Sequence, residues 1–270
     1  ASRGDVSIVT TIKPLQMIAE AIVQGHGSVS SIVGSQESPH HFTVSPSDRI
    51  NLARADMAIW IGPLFETHIS DFFVQAEVQA KTITVIDTPG LQLYTVVDGQ
   101  IDAHVWLDSL NAIRIAKTIA ERAAELDPGN STSYRRNLRK FSTEIESRNQ
   151  QIVERFQVSS TTSYAVYHNA YQYFEQQFGW KHDIVIFPDP GVQPGIREII
   201  GLRSQVGKRR PSCLLMETDS NSELVSTVLN GYELKLITVD LLGSNVNSSE
   251  NAYSEFIANL ADDFYECIYK

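Results

Sequence analysis

Short runs of strand-forming residues alternate with helix-length stretches along nearly the whole chain, the pattern that a parallel sheet flanked by helices requires. In the first half, strand-like runs at 6–10, 29–33, 57–61 and 82–86 are separated by helical patterns at 14–23, 46–53 and 65–79. Pro46 followed by Ser47 and Asp48 is a helix-start signal, because proline tolerates the first turn and short polar side chains cap orphan amides. After Asp108 and Ser109, a capping pair, a helical stretch runs to about 126 and breaks at Asp127, Pro128 and Gly129. Tyr134, Leu138, Phe141, Ile145, Ile152 and Phe156 then keep helical spacing, predicting one long helix of about 40 Å at the standard rise. Strand and helix alternate again after it, with strands at 164–167, 183–187, 213–216 and 234–239 and a last helix over 253–268.

This order predicts an α/β protein of two lobes, each a mostly parallel sheet flanked by helices, joined by one long connecting helix. The expected division is 1–128, 129–158 and 159–270. A chain of 270 residues is long enough for two such cores. No apolar run approaches the roughly 18 residues of a membrane span. A net charge of -10 argues against a nucleic-acid partner, because phosphate binding draws on Lys and Arg. The one basic run, Lys208, Arg209 and Arg210, reads as a solvated turn. Ala1 to Asp5 are small and polar and carry no charged segment followed by an apolar stretch, so an export signal is expected to have been removed.

Chemistry concentrates where strands end. His40 follows the run 29–34 after a short loop, His104 follows an expected strand at 101–103, and His168 follows 164–167. Asp240 follows 234–239. In open α/β sheets ligands bind at the carboxyl ends of strands, so imidazoles delivered there from distant parts of the chain can converge on one borderline-soft cation. Three imidazoles with a carboxylate or water form a familiar tetrahedral zinc shell, whereas manganese favours more oxygen donors. Two of the histidines belong to the first lobe, while His168 and Asp240 belong to the second, so the ion is expected in a cleft between lobes. His26, His68 and His182 read as surface or local packing residues, and His41, beside His40, as a neighbour of the shell. Cys213 and Cys267 lack metal-ligand spacing; they read either as one disulfide pinning the last helix to its sheet, or as two separate buried thiols. A zinc hydrolase with Glu217 or Asp240 as general base is the competing class, but the chain carries no HExxH-type motif.

The runs Ser38-Pro39-His40 through Pro46-Ser47-Asp48, His104-Val105-Trp106-Leu107, Tyr167-His168-Asn169-Ala170-Tyr171 with Tyr173-Phe174-Glu175, and Val239-Asp240 with Leu242-Gly243 carry a family likeness. In this order the chain resembles the metal-specific solute-binding proteins of bacterial ABC transporters, and most closely their ZnuA-like periplasmic zinc-binding branch. The resemblance implies Zn2+ as cargo, delivery to an ABC membrane permease, no enzymatic activity, a periplasmic mature monomer, and a Cys213–Cys267 disulfide. It implies His40, His104 and His168 as ligands, with Asp240 as fourth ligand or neighbour of a bound water. In manganese-binding relatives the position of His168 is typically a carboxylate, so histidine there favours zinc over the manganese or iron alternative. The sequence departs from the pattern at Pro39, where some zinc members have a glutamate, at Asn169, which replaces a frequent aspartate, and at Leu241, which replaces a common proline. The long loop rich in His and Asp that many zinc members carry before the second histidine is missing, and only residues 94–100 occupy that stretch.

Overall fold

The computed structural model describes residues 5–32, 42, 44–96, 98–156, 162–187 and 194–269. Packing divides the chain into two units, Ala1–Asn149 with Leu242–Phe256 and Gln150–Leu241 with Ile257–Lys270. The boundary thus falls inside the long helix, and a late segment groups with the first unit rather than with the contiguous 159–270.

In the first unit β1 (Val6–Thr10), α1 (Lys13–Val23), β2 (Gly27–Ser31), α2 (Pro46–Arg54), β3 (Met57–Trp60), α3 (Ser70–Phe73), α4 (Ala76–Gln79) and β4 (Thr82–Thr84) build a four-stranded parallel sheet of order β2-β1-β3-β4. Central β3 is buried at every position, as a parallel strand covered on both faces should be, while edge β2 alternates between half-buried and exposed residues. Two later helices follow, α5 (Ser109–Leu126) and α6 (Ser131–Arg155). α1 begins with Pro14 in its first turn and buries Leu15, Met17, Ile18 and Ile22. α2 opens with a reciprocal cap in which Asp48 N donates to Ser45 Oγ at 3.2 Å and Ser45 N donates to Asp48 Oδ2 at 2.9 Å. β2 starts earlier than expected because Gly27 pairs with Val6, in a place where a Cβ would meet Val6 O and the Val23 side chain.

Two sequence expectations fail in this unit. The helix expected over 65–79 is a 3-10 turn at Thr67–Ile69 followed by α3 and α4, with Gln75 extended between them. Thr67, Ile69, Phe72, Phe73 and Val74 are weak helix formers, and Phe73 spends its ring stacking on Trp60 at 4.3 Å. The strand expected at 101–103 does not form; Ile101 makes only an isolated antiparallel bridge with Thr95. Asp102 instead turns its carboxylate back onto the main chain of His104, a local bond that competes with a ladder.

The segment Leu242–Phe256 joins this unit through specific bonds. Lys13 Nζ donates to Ser244 O and Val246 O at 2.9 and 2.7 Å, and Tyr253 OH donates to Trp106 O at 2.6 Å. Ser254 Oγ accepts from Arg148 Nε at 3.0 Å and donates to Glu144 Oε1 at 2.7 Å.

In the second unit β5 (Ala165–His168), α7 (Gln172–Phe178), β6 (Ile184–Phe187), α8 (Ile196–Arg209), β7 (Cys213–Glu217), α9 (Ser222–Leu229) and β8 (Lys235–Val239) give a second four-stranded parallel sheet, ordered β6-β5-β7-β8. The strand order is the same as in the first unit, a likeness of architecture that the residues do not announce. Ala165, Ile184, Ile186, Val206, Leu214 and Val228 form its core. The final helix, α10 (Ala252–Tyr269), begins in the first unit and finishes in the second. Cys213 and Cys267 form a disulfide with their Cα atoms 5.4 Å apart, fastening the start of β7 to α10. Lys208 and Arg209 complete the last turn of α8 rather than forming a turn of their own, where cations complement the helix dipole, and Arg210 caps it in the left-handed region at φ 49°. Among the described residues no helix is long and apolar enough to cross a membrane.

Candidate metal centre

His104 is placed by a loop rather than by a strand. Asp102 N donates to Tyr94 O at 2.9 Å, which anchors the approach, and the Asp102 carboxylate is buried at 2% exposure. Its Oδ1 accepts the His104 backbone N–H at 3.0 Å and faces His104 Nδ1 at 2.8 Å. A neutral imidazole that donates from Nδ1 carries its lone pair on Nε2, the arrangement of a histidine oriented by a carboxylate for a metal. The residue is 8% exposed, and its ring lies edge-on to Phe65, centroids 5.7 Å apart, and tilted against Trp106 at 5.3 Å. Downstream, the 3-10 turn Val105–Leu107 is wholly buried, and Asp108 accepts Leu110 N at 2.7 Å and Asn111 N at 3.2 Å to start α5. Burial raises the Asp108 pKa, and those two amide donors oppose the rise.

The switch point of the first sheet, between β1 and β3, is occupied by a second buried acid. Glu66 accepts from Thr11 Oγ1 and, at 2.9 Å, from Gly62 N. Gly62 stands at φ 143° with Ile86 against it, a conformation and a clearance that suit only glycine. Burial is the largest influence on Glu66 and pushes its carboxyl up to about 7.

In the second unit the corresponding switch point lies between β5 and β7, and chemistry-bearing residues sit at both strand ends, as ligand sites in such sheets do. His168 is the last residue of β5, which starts and ends one residue later than expected, and it pairs in register with Phe187. Glu217 ends β7, and its Oε1 lies 3.5 Å from His168 Nδ1, both side chains 11% exposed. Tyr171 OH donates to Glu217 Oε1 at 2.6 Å, while Ser220 Oγ donates to Oε2 at 3.3 Å. Tyr171 is fully buried and its phenol is held well above the ordinary range by burial and then by Glu217. Asp240 follows β8 directly and is half-buried. It is one of the charges that, after burial, Asp262 and Glu266, raise Asp263 to about 7.

The other histidines have local roles. His182 Nδ1 is 2.9 Å from both carboxylate oxygens of Glu175, which also accepts from Tyr164 OH. His68 packs edge-on against Phe42 at 4.5 Å and His26 against Tyr134 at 6.2 Å. His40 and His41 lie outside the described residues, and among the described residues no three His, Cys, Asp or Glu side chains form a metal-holding group. Sequence reasoning missed Asp102 and Glu66 and assigned Glu217 only to a hydrolase. The Asp-x-His spacing was the available signal for Asp102; nothing local marked Glu66.

A parallel sheet in each unit, with one long helix between the two sets of strands, is the architecture of a two-lobe solute-binding protein. Solved structures share it: a zinc-bound ZnuA deletion mutant superposes with a TM-score of 0.84 at 22% identity, covering 98% of this chain and 99% of that one. The solute-binding protein FpvC of Pseudomonas aeruginosa, in complex with Mn2+, gives 0.85 at 20% identity, covering 98% of each. A curated relative, the high-affinity zinc uptake system protein ZnuA of Yersinia pestis, is 26% identical across 98% of this chain and 92% of its own length. The profile of the ZnuA family, zinc-uptake complex component A, periplasmic, matches residues 8–267, and the chain belongs to that family. It is a family of solute-binding proteins, not of enzymes.

Proposed function

We propose that this protein captures Zn2+ in the periplasm as a mature monomer freed of its export signal, and delivers the ion to the membrane permease of an ABC transporter for high-affinity uptake. The family supports the role, and one observation carries the choice of donor: the His104 imidazole is braced at Nδ1 by the buried Asp102 carboxylate, which directs Nε2 toward a cation. His40, His104 and His168 are the ligands, and Asp240 or a water completes a tetrahedral shell. Nitrogen donors outnumber oxygen in that set, which favours zinc over manganese. Imidazoles bind the metal unprotonated, so capture releases protons, and affinity falls as acid competes for the ring nitrogens.

Metal titration of single variants tests the assignment. His104→Ala and His168→Ala should each weaken Zn2+ binding by more than about a hundredfold, beyond what outer-shell changes cause. His182→Ala, which removes a partner of Glu175, should leave the affinity close to that of the parent. Equal losses in all three would refute the ligand set, and tighter binding of Mn2+ than of Zn2+ in competition would refute the choice of metal.

A further inference from the structure

In each unit a histidine proposed as a ligand has its Nδ1 facing a carboxylate of low exposure, an arrangement that His182 and Glu175 also show in the second unit. In the first unit Asp102 Oδ1 stands 2.8 Å from His104 Nδ1 and is itself fixed by accepting the His104 backbone N–H. In the second unit Glu217 Oε1 stands 3.5 Å from His168 Nδ1, and Glu217 is held by three local bonds: from Tyr171 OH at 2.6 Å, from Ser220 Oγ at 3.3 Å, and from its own N–H to Ser220 Oγ at 2.9 Å. The two carboxylates come from different kinds of backbone, a loop and the end of β7, yet they reach the same ring atom.

We infer that Asp102 and Glu217 are positioning residues that fix His104 and His168 as Nδ1–H tautomers with Nε2 reserved for the ion, and that Tyr171 and Ser220 hold Glu217 in that task. A carboxylate so engaged by hydroxyl donors is committed to orienting its neighbour and is withheld from the ion. This keeps an oxygen donor out of the shell and sharpens the preference for zinc. The inference rests on the ligand assignment proposed above, but its first readout does not.

Metal-free protein labelled with 15N-histidine and observed by long-range 15N–1H correlation at pH 8 reports the tautomers directly. Wild type should show Nδ1–H for both rings. Asp102→Asn should shift His104 alone, and Glu217→Gln should shift His168 alone, each with a Zn2+ affinity roughly ten- to a hundredfold weaker. Glu217→Asp should recover part of the loss. Tyr171→Phe, which leaves Glu217 in place but removes its strongest donor, should loosen His168 without touching His104, and supplies the test if Glu217→Gln fails to fold. Unchanged tautomers in the variants would overturn the inference. Shifted tautomers in a protein that binds no Zn2+ would uphold the positioning and overturn the proposed function instead.

Discussion

The two proposed ligands His104 and His168 stand on different supports. His168 is locked into β5, where the ladder to Phe187 sets its backbone and leaves only the ring to be aimed. His104 lies on irregular chain between an isolated bridge and a 3-10 turn, and its backbone and ring both depend on Asp102. The first unit repeats this device: Glu66, Asp102 and Asp108 are buried carboxylates that each accept a main-chain N–H near a strand or helix end. The second unit adds a covalent tie, Cys213–Cys267, between sheet and last helix. Loops can therefore be as well determined as strands, provided that buried acceptors take over the role of the ladder.

Breaking the covalent tie should have the largest effect on stability. Replacing Cys213 and Cys267 with serine opens a loop spanning 54 residues, which costs about 4 kcal/mol on the chain-entropy estimate. Denaturant unfolding of the variant should match that of reduced wild type; an unchanged midpoint would show that the second unit owes its rigidity to the ladder alone.

Glu66 probes the first unit through pH. Its carboxyl is raised from 4.5 to about 7 in the folded state, so between those values the folded chain binds more protons than the unfolded one. The stabilisation is fully present below the unfolded pKa and is lost as pH rises through the folded one. Glu66→Gln should flatten this decline by on the order of 3 kcal/mol, given 1.36 kcal/mol per pKa unit. The decline due to Asp263, which has the same sign, remains in both proteins. Urea midpoints from pH 4.5 to 7.5 would measure the difference, and parallel curves would remove Glu66 from the account.

The smallest effect belongs to Asp108, whose two accepted amides start α5 just after the turn that carries His104. Asp108→Ala should destabilise by about 1 kcal/mol, as the loss of a helix cap does, and Asp108→Asn should restore most of it. Equal stability of the alanine and asparagine variants would mean that packing of Val105, Trp106 and Leu107 holds the junction without the cap.

Parallel strands buried on both faces write themselves as unbroken apolar runs, which is why residues 57–60, 165–167 and 213–215 were legible from the chain alone. The helix starts at Pro46 and after Asp108 were legible for a similarly local reason, since a cap is made by residues next to the turn it closes, although the cap before Pro46 is Ser45 rather than Ser47. The segment at 101–103 misled because its apolar, polar, apolar alternation imitates a strand, and only the turn of Asp102 onto His104 distinguishes the two. The helix expected over 65–79 failed because rings such as Phe73 found better partners outside it.

Sequence by itself determined the α/β class and most of the order of elements, and it supplied the proposed metal ligands, because periodicity, capping and ligand chemistry are properties of short stretches. Tertiary structure alone decided that Leu242–Phe256 returns to the first unit, that both sheets share one strand order, and that Asp102 and Glu217 face histidine nitrogens. Those facts depend on pairings between distant residues, whose free energy appears only when burial makes an unmet hydrogen bond costly.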